Sequence, residues 1–291
     1  MIPERYALSS SRFPPIAPGT PITGEAVGKV VESNSDLYNV GDYILHTNGW
    51  EEYSILGNFP ESHTPRKFTP GDDIDKSCLH RIVTRGLVGR TAYYSLVQCM
   101  NIKPGDVIAI SGATGGVGHM MIQLALKLGA SKVYGITSTD KKAEIIAGLG
   151  GIPIVIPKNT KLSQVIEIVD SHIHDKLDHY HENVGNGYFT AAMKHMVVGG
   201  TIIYCGVMSL YNNTMPTPGP NIMALIYNDV KIRGCFLTNL NESEFNTFMD
   251  EYDADLTCLT TVYNGIEELP NQFVDHFILP DTRVGKSLCK I

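Results

Sequence analysis

From Val107 onward, short apolar runs and helix-like stretches alternate without a break, and this order constrains the fold more than any other feature of the chain. VIAISG (107–112), KVYGI (132–136), IPIVIP (152–157), LDHYHENVG (177–185, a strand and its exit) and GTIIYCG (200–206) have the length and character of strands. HMMIQLALKLG (119–129), TDKKAEIIAGLG (139–150), KLSQVIEIVDSHIH (161–174) and GYFTAAMKHMV (187–197) lie between them and read as helices. Strands joined by helices of about ten residues predict a parallel, doubly wound α/β sheet. The earlier part differs. Residues 1–70 are rich in Pro and Gly, and AVGKVVES (26–33) and GDYILHT (41–47) read as strands between turns, which predicts a small β region. The last stretch, 256–291, predicts a strand, a helix over 265–277 and a closing strand over 284–291. At 291 residues, two domains are expected.

SGATGGVGHMM (111–121) leaves a strand and opens a helix. In that context Gly115, Gly116, Val117 and Gly118 are the expected seat of a pyrophosphate. Glycines let the backbone approach the phosphates and let helix pack on strand, and the free N–H groups of the helix start favour an anion. Ala113 stands where the first glycine of G-x-G-x-x-G would be. The alternative is a plain tight strand-to-helix turn. An NAD site places Asp or Glu about 20 residues on, at the end of the second strand, to hold the ribose hydroxyls. Thr137 and Ser138 occupy that place, and Lys141 and Lys142 follow on the next helix turn. Nothing there repels a 2′-phosphate and two cations stand near it, so NADPH is the expected cofactor. Asp140 dissents, but it also suits the first turn of a helix. The bland reading of the lysines is a solvated helix face.

Charge and composition exclude other classes. A net charge of −7 argues against broad nucleic-acid binding, which needs a basic surface. No apolar run reaches the roughly 18 residues of a membrane span, and MIPERYALSSSRFPP lacks the apolar centre of a secretory signal. Cys78, Cys99, Cys205, Cys235, Cys258 and Cys289 form no C-x-x-C pair, which suits neither a zinc lobe nor a disulfide framework. The cytoplasm is the expected location. HIHDKLDHYHEN (172–183) raises the question of a metal. His172 and His174 close a helix, where a histidine suits the negative dipole end. His179 and His181 lie two apart on a strand and face one side. A catalytic zinc keeps three protein ligands, a third is not evident, and no metal is expected. Two histidines on a buried strand then each need a hydrogen-bond partner, and burial favours their neutral form. Asn183, at the carboxyl end of that strand, is the expected functional residue of the stretch, because open α/β sheets bind ligands there.

GEAVGKVVES (24–33), NGWEEY (48–53), GLVGRTAYYSL (86–96), SGATGGVG (111–118), HENVGNG (181–187), CGVMSLYN (205–212), PGPNIMALIYNDVKIRG (218–234) and RVGKSLCKI (283–291) together carry a resemblance. The chain resembles the zinc-free medium-chain dehydrogenase/reductases, in the branch of prostaglandin reductases, leukotriene dehydrogenases and alkenal and curcumin double-bond reductases. The stretches keep that family's order and cover nearly the whole chain. CGVMSLYN with ENVG is specific to the branch, whereas the glycine turn alone is not. The resemblance implies a Rossmann-type sheet plus a smaller, GroES-like, mostly β catalytic domain. It divides the chain into a catalytic domain (1–97), an NADPH-binding domain (98–240) and a segment that ends the latter and returns to the former (241–291). MIPERYAL aligns inside the family's catalytic domain, so roughly the first forty residues of the pattern are expected to be missing. Without their strands a sheet edge or core face would stand open.

The resemblance also implies roles. Gly115 through Gly118 would take the pyrophosphate and Lys142 the 2′-phosphate. Asn183 would sit beside the cofactor. Cys205, Gly206 and Val207 would line the nicotinamide, with Tyr211 near its ribose. Cys235, Phe236 and Leu237 would hold the carboxamide by their backbone. Tyr227 matches the tyrosine implicated in the family's chemistry. Without the resemblance, these tyrosines would be half-buried packing residues. There are departures: Pro157 replaces a cofactor-contacting Tyr, and Arg283 replaces an Asn. Thr23-Gly24-Glu25 stands where zinc-dependent cousins often carry Gly-His-Glu.

The function so implied is NADPH-dependent reduction of the C=C bond of an α,β-unsaturated ketone or aldehyde, by hydride transfer to the β-carbon. The enolate oxygen needs a preorganised donor, for which Tyr227 and a ribose hydroxyl steadied by Tyr211 are candidates. Trp50, Tyr53, Thr91 and Tyr93 are candidate cleft walls, or simple core. The partner is a small enone or enal, and relatives are commonly homodimers. Two alternatives stay open: an NADPH-binding protein with little catalysis, and a quinone reductase of the same superfamily.

Overall fold

The computed structural model describes residues 19, 22–48, 50–57, 65–185, 187–210, 222–277 and 283–291. The amino-terminal part forms an antiparallel sheet of β1 (Ala26–Lys29), β2 (Tyr43–His46) and β3 (Arg66–Phe68). Six parallel strands follow: β4 (Val107–Ser111), β5 (Lys132–Thr137), β6 (Ile152–Val155), β7 (Leu177–Glu182), β8 (Met196–Tyr204) and β9 (Lys231–Gly234). Their spatial order is β6-β5-β4-β7-β8-β9. The chain thus runs outward from β4 through β6, returns to β7 beside β4, and runs outward again. This is the doubly wound, Rossmann-type order, with its reversal between β4 and β7.

The strand period explains why helices cover both faces. Ile108 and Ile110 of β4 enter one core, with Val88, Met120, Leu124 and Phe245. Ala109, between them, enters the other, with Tyr134, Val165, Val169 and Phe189. Alternate residues point to opposite faces, and a strand buried on both sides reads as a continuous apolar run. The expected helices are present as Gly116–Lys127, Asp140–Gly148, Leu162–His172 and Tyr188–Met193. β8 begins at Met196, earlier than the expected Gly200, because the last of these helices stops at Met193 and Met196 already pairs with Leu177. A bulge between Leu177 and His179 then absorbs Gly199 (φ +80°) and Gly200, where a Cβ would stand 3.2 Å from the Asp178 carbonyl.

Residues 71–100 carry helices that the sequence reading did not anticipate. Ile74–Thr84 is capped by the Asp73 carboxylate, which accepts the Lys76 N–H at 3.0 Å. Leu87–Tyr93 runs on into a π-helical turn, Tyr94–Met100, ended by Asn101 at φ +55°. Glu25 caps Leu87–Tyr93 from outside: both carboxylate oxygens accept the Leu87 N–H, at 2.6 and 2.7 Å. A further helix, Glu242–Tyr252, supplies Phe245 and Phe248 to pack on Tyr93, with ring centroids 5.4 and 4.9 Å away.

The carboxyl-terminal part folds as the sequence suggests. β10 (Thr260–Asn264) and β11 (Lys286–Lys290) pair in parallel around the helix Leu269–Phe277. This unit is fastened to the glycine turn. Gly285 bridges Gly115, and its N–H donates to the Thr114 carbonyl at 2.7 Å. Gly285 has φ +71°, and a Cβ there would fall 1.8 Å from the Leu259 carbonyl oxygen. The buried His119 and Gln123 complete the fastening: Leu259 N–H donates to His119 Nε2 (3.2 Å) and Thr257 N–H to Gln123 Oε1 (2.8 Å).

Candidate active site

The carboxyl ends of β4 and β7 meet at the reversal of strand order, where an open sheet forms a crevice. β4 ends at Ser111 and the chain turns through Gly112 (φ +61°), where a Cβ would press Val184 Cγ2 at 3.0 Å. Gly115 N–H donates back to the Gly112 carbonyl at 2.9 Å, closing the turn. The helix Gly116–Lys127 starts there with no side-chain cap. A Cβ on Gly118 would stand 2.4 Å from the Gly112 oxygen and 2.7 Å from Ala113 Cα. The turn is therefore as tight as the sequence pattern implies. An uncapped twelve-residue helix aims its first N–H groups and positive dipole end at the crevice.

A buried hydrogen-bond network fixes the other lip. Asn183 N–H donates to Ser111 Oγ and its Nδ2 to the Ser111 carbonyl, both at 2.7 Å. Ser111 Oγ donates to Glu182 Oε1 at 2.5 Å. That carboxylate also takes the Val184 and Gly185 N–H groups at 2.8 Å, and Tyr180 Oη at 2.8 Å on its other oxygen. Burial raises the Glu182 pKa, and these donors oppose the rise. The sequence reading missed Glu182; an acid closing an otherwise apolar core strand was the available signal. Cys205 and Gly206 N–H groups donate to the Glu182 carbonyl at 2.9 and 3.0 Å, which sets β8's exit beside Asn183.

His181 continues the network. It is fully buried, and desolvation lowers its pKa to about 4, so the ring is neutral. Asn183 Nδ2 donates to its Nδ1 at 3.1 Å, which leaves Nε2–H to donate to Ser95 Oγ at 3.0 Å. Ser95 Oγ in turn lies 3.2 Å from Cys235 Sγ. The histidine that raised the metal question is an internal relay between the two lips. His179 is held differently: Nε2 meets Asp106 at 2.9 Å, while its buried Nδ1 has no partner. His172 Nδ1 bonds the Ile168 carbonyl at 2.8 Å, closing its helix as expected. Among the described residues, no group of three His, Cys, Asp or Glu side chains is placed to hold a metal ion.

The structure brings together Gly115, Gly116, Val117, Gly118, Asn183, Cys205, Gly206, Val207 and Cys235 along the carboxyl edge of β4, β7, β8 and β9, with Phe236 and Leu237 just beyond. Phe236 is half exposed, at 49%. Lys142 sits one strand away. Thr139 caps its helix, and Lys142 is only 8% exposed whereas Lys141 is exposed, so the solvated-face reading fails for Lys142. Thr137 and Ser138 leave the end of β5 without an acid.

Other expected residues fall elsewhere. Tyr211 lies outside the described residues. Tyr227 ends the short helix Ile222–Tyr227 and is 73% exposed. Its neighbour Asn228 accepts the Gly199 N–H, five residues before the end of β8, about 16 Å at the rise of a strand. Tyr227 is thus near the amino end of β9, apart from the group above. Tyr93 is core, packed on Phe245 and Phe248, and Thr91 is buried, whereas Tyr53 is 77% exposed. Trp50 packs over Gly24, where a Cβ would meet its ring nitrogen at 3.0 Å. Pro157 is exposed past β6. Arg283 donates from Nε to the Asp275 carbonyl at 2.7 Å, so that nitrogen is committed to the carboxyl-terminal helix.

Comparison with known proteins agrees with this geometry. Residues 116–254 match the family model of zinc-binding dehydrogenases, and residues 4–61 match that of an oxidoreductase N-terminal domain. The NADP(+)-dependent 2-alkenal reductase of Nicotiana tabacum is 31% identical over 291 residues, covering 98% of this chain and 81% of that protein. Prostaglandin reductase 1 of Mus musculus is 29% identical over 280 residues, covering 94% and 82%. The crystal structure of CurA in complex with NADPH from Vibrio vulnificus superposes with a TM-score of 0.82 at 25% identity, covering 98% of this chain and 84% of that one.

Proposed function

Because the chain belongs to the zinc-independent branch of the medium-chain dehydrogenase/reductases, we propose that it reduces the C=C bond of α,β-unsaturated aldehydes or ketones with NADPH. The observation that carries the cofactor reading is the crevice itself: a glycine turn with no room for a Cβ at Gly118, an uncapped helix start, no acid at the end of β5, and Lys142 on the next helix. These residues fit a dinucleotide bearing a 2′-phosphate. The turn of Gly115, Gly116, Val117 and Gly118, with the free N–H groups of the helix start, seats the pyrophosphate, and Lys142 takes the 2′-phosphate. Asn183, Cys205, Gly206 and Val207 line the nicotinamide, Tyr211 meets its ribose, and the backbone of Cys235, Phe236 and Leu237 holds the carboxamide. Residues 1–97 form the catalytic domain, 98–240 the NADPH domain and 241–291 the return between them.

Bound there, NADPH supplies a hydride for the substrate's β-carbon, and charge moves to the carbonyl oxygen. The chain must then donate a hydrogen bond to that oxygen from a dry wall. Asn183 and Glu182 are consumed in holding the crevice rigid, and the relay through His181 is neutral and buried, so none of them is that donor. Tyr227 is the proposed donor, and its place near the amino end of β9 means that it serves the crevice of a second copy. β9 pairs only with β8 among the described residues; Ile232 on it, and Met223, Ile226 and Tyr227 on the helix before it, are exposed. Two such edges paired antiparallel about a twofold axis set the amino end of one β9 against the carboxyl end of the other.

Purified protein should oxidise NADPH with an alkenal or a dicinnamoyl ketone and not with a quinone. Consumption with the quinone alone would make it a quinone reductase, and tight NADPH binding without turnover would make it a binder. Lys142→Ala should raise KM for NADPH about 10–100-fold, the worth of one charge-assisted hydrogen bond, while KM for NADH stays level. Equal losses with both cofactors would remove Lys142 from the 2′-phosphate. Tyr227→Phe should lower kcat at least about tenfold. Mixing it with Lys142→Glu chains should recover activity, because one crevice of the mixed dimer has both residues; no recovery would place the donor within one chain.

A further inference from the structure

The His181 relay ends at a cluster of thiols that the proposed reaction does not use. β8 and β9 pair in register from Thr201 with Lys231 to Tyr204 with Gly234, and Cys235 N–H donates to the Tyr204 carbonyl at 2.7 Å. Cys205 and Cys235 are the next residues of the two strands and stand level. Neighbouring strands lie about 4.8 Å apart, inside the window of about 4.4–6.8 Å that disulfide Cα atoms require. Cys99, on the π-helical turn, joins these two cysteines: Cys205 first and then Cys99 lower the Cys235 pKa. Ser95 Oγ at 3.2 Å is a further partner on the same sulfur. All three cysteines are half-buried and free of disulfide.

We infer that Cys205 and Cys235 form a peroxide-driven disulfide across the carboxyl ends of β8 and β9. The neighbouring thiols that lower the Cys235 pKa have their own raised by it. Cys235 is therefore the thiolate of the cluster, and a thiolate is the nucleophile. Its sulfur attacks hydrogen peroxide: an S–O bond forms, the O–O bond breaks, and hydroxide leaves to take up a proton as water. Cys205, losing its thiol proton, attacks the sulfenic sulfur; the S–S bond forms, the S–O bond breaks, and a second water leaves. Two thiols lose two electrons and two protons, and one peroxide becomes two waters. The consequence for activity rests on the function proposed above: the bond pulls together the two exits that line the nicotinamide pocket, so oxidised protein loses turnover until a dithiol reduces it.

Peptide mapping under non-reducing conditions after mild hydrogen peroxide tests the bond independently of any activity. The expected product is a peptide pair linked through Cys205 and Cys235, absent after dithiothreitol. In the functional arm, each variant is referred to its own untreated rate. Wild type should lose most of its NADPH-dependent rate and regain it with dithiothreitol, Cys235→Ser, which lacks the attacking sulfur, should keep its own rate, and Cys205→Ser should yield no linked peptide. A Cys99–Cys235 linkage, or peroxide that yields only sulfinic and sulfonic acid at Cys235, would overturn the inference. The linked peptide with no fall in rate would leave the bond standing and overturn the pocket assignment instead.

Discussion

Gly118→Ala is expected to abolish measurable NADPH binding while leaving secondary structure in place. The added Cβ falls 2.4 Å from the Gly112 carbonyl and 2.7 Å from Ala113 Cα, and both are backbone, so no side chain can yield. Overpacking of this kind costs about 1–3 kcal/mol, and the turn relieves it by opening. Opening moves the Gly115 N–H from the Gly112 carbonyl and breaks the bridge to Gly285. A loss of more than about 100-fold in NADPH affinity, by quenching of intrinsic fluorescence, is the expected reading. Circular dichroism and a denaturant midpoint separate a distorted turn from a failed fold. Affinity within threefold of wild type would mean that the glycine turn does not seat the cofactor.

The second large effect is acid sensitivity. His119 and His181 are fully buried, and desolvation brings each from 6.5 to about 4. The folded state holds both rings neutral where the unfolded chain would protonate them. Their stabilisation is complete above 6.5 and is lost as pH falls toward 4, because unfolding then takes up protons. A drop of this size corresponds to about 3 kcal/mol for each ring. Glu182 works in the opposite sense: its raised pKa lets the folded state bind a proton first, which offsets part of the loss. Unfolding free energy should fall by about 3–5 kcal/mol between pH 7 and 4.5, and His119→Gln should remove about one proton from the slope. A flat profile over that range would show that the rings are accessible to protons in the folded state.

The sheet was legible because its signal is local and redundant. Strands such as VIAIS are apolar throughout since both faces are covered, and the helices between them carry their own spacing. Residues 71–100 were not legible: Leu87–Tyr93 owes its start to Glu25, a cap delivered from another part of the chain, and no local pattern records it. The glycine turn was readable for steric reasons, and the place of Lys142 followed by counting strands. Two features were hidden. Tyr227 matches its motif in sequence yet stands apart in space, because a motif fixes neighbours along the chain and not across a sheet edge. The role of His181 depends on Ser95 and Asn183, which only the fold brings to it.

The bridge between Gly115 and Gly285 has a consequence for how the protein is made. The phosphate cradle leaves the ribosome well before Gly285, the residue that braces it. More than half the chain must be synthesised in between, and contacts of such separation form late. The growing chain can pack β4 to β9 but holds an unbraced cradle until Gly285 arrives. A chain cut before Gly285 should therefore hold NADPH less tightly and be left without the stability that the cofactor adds.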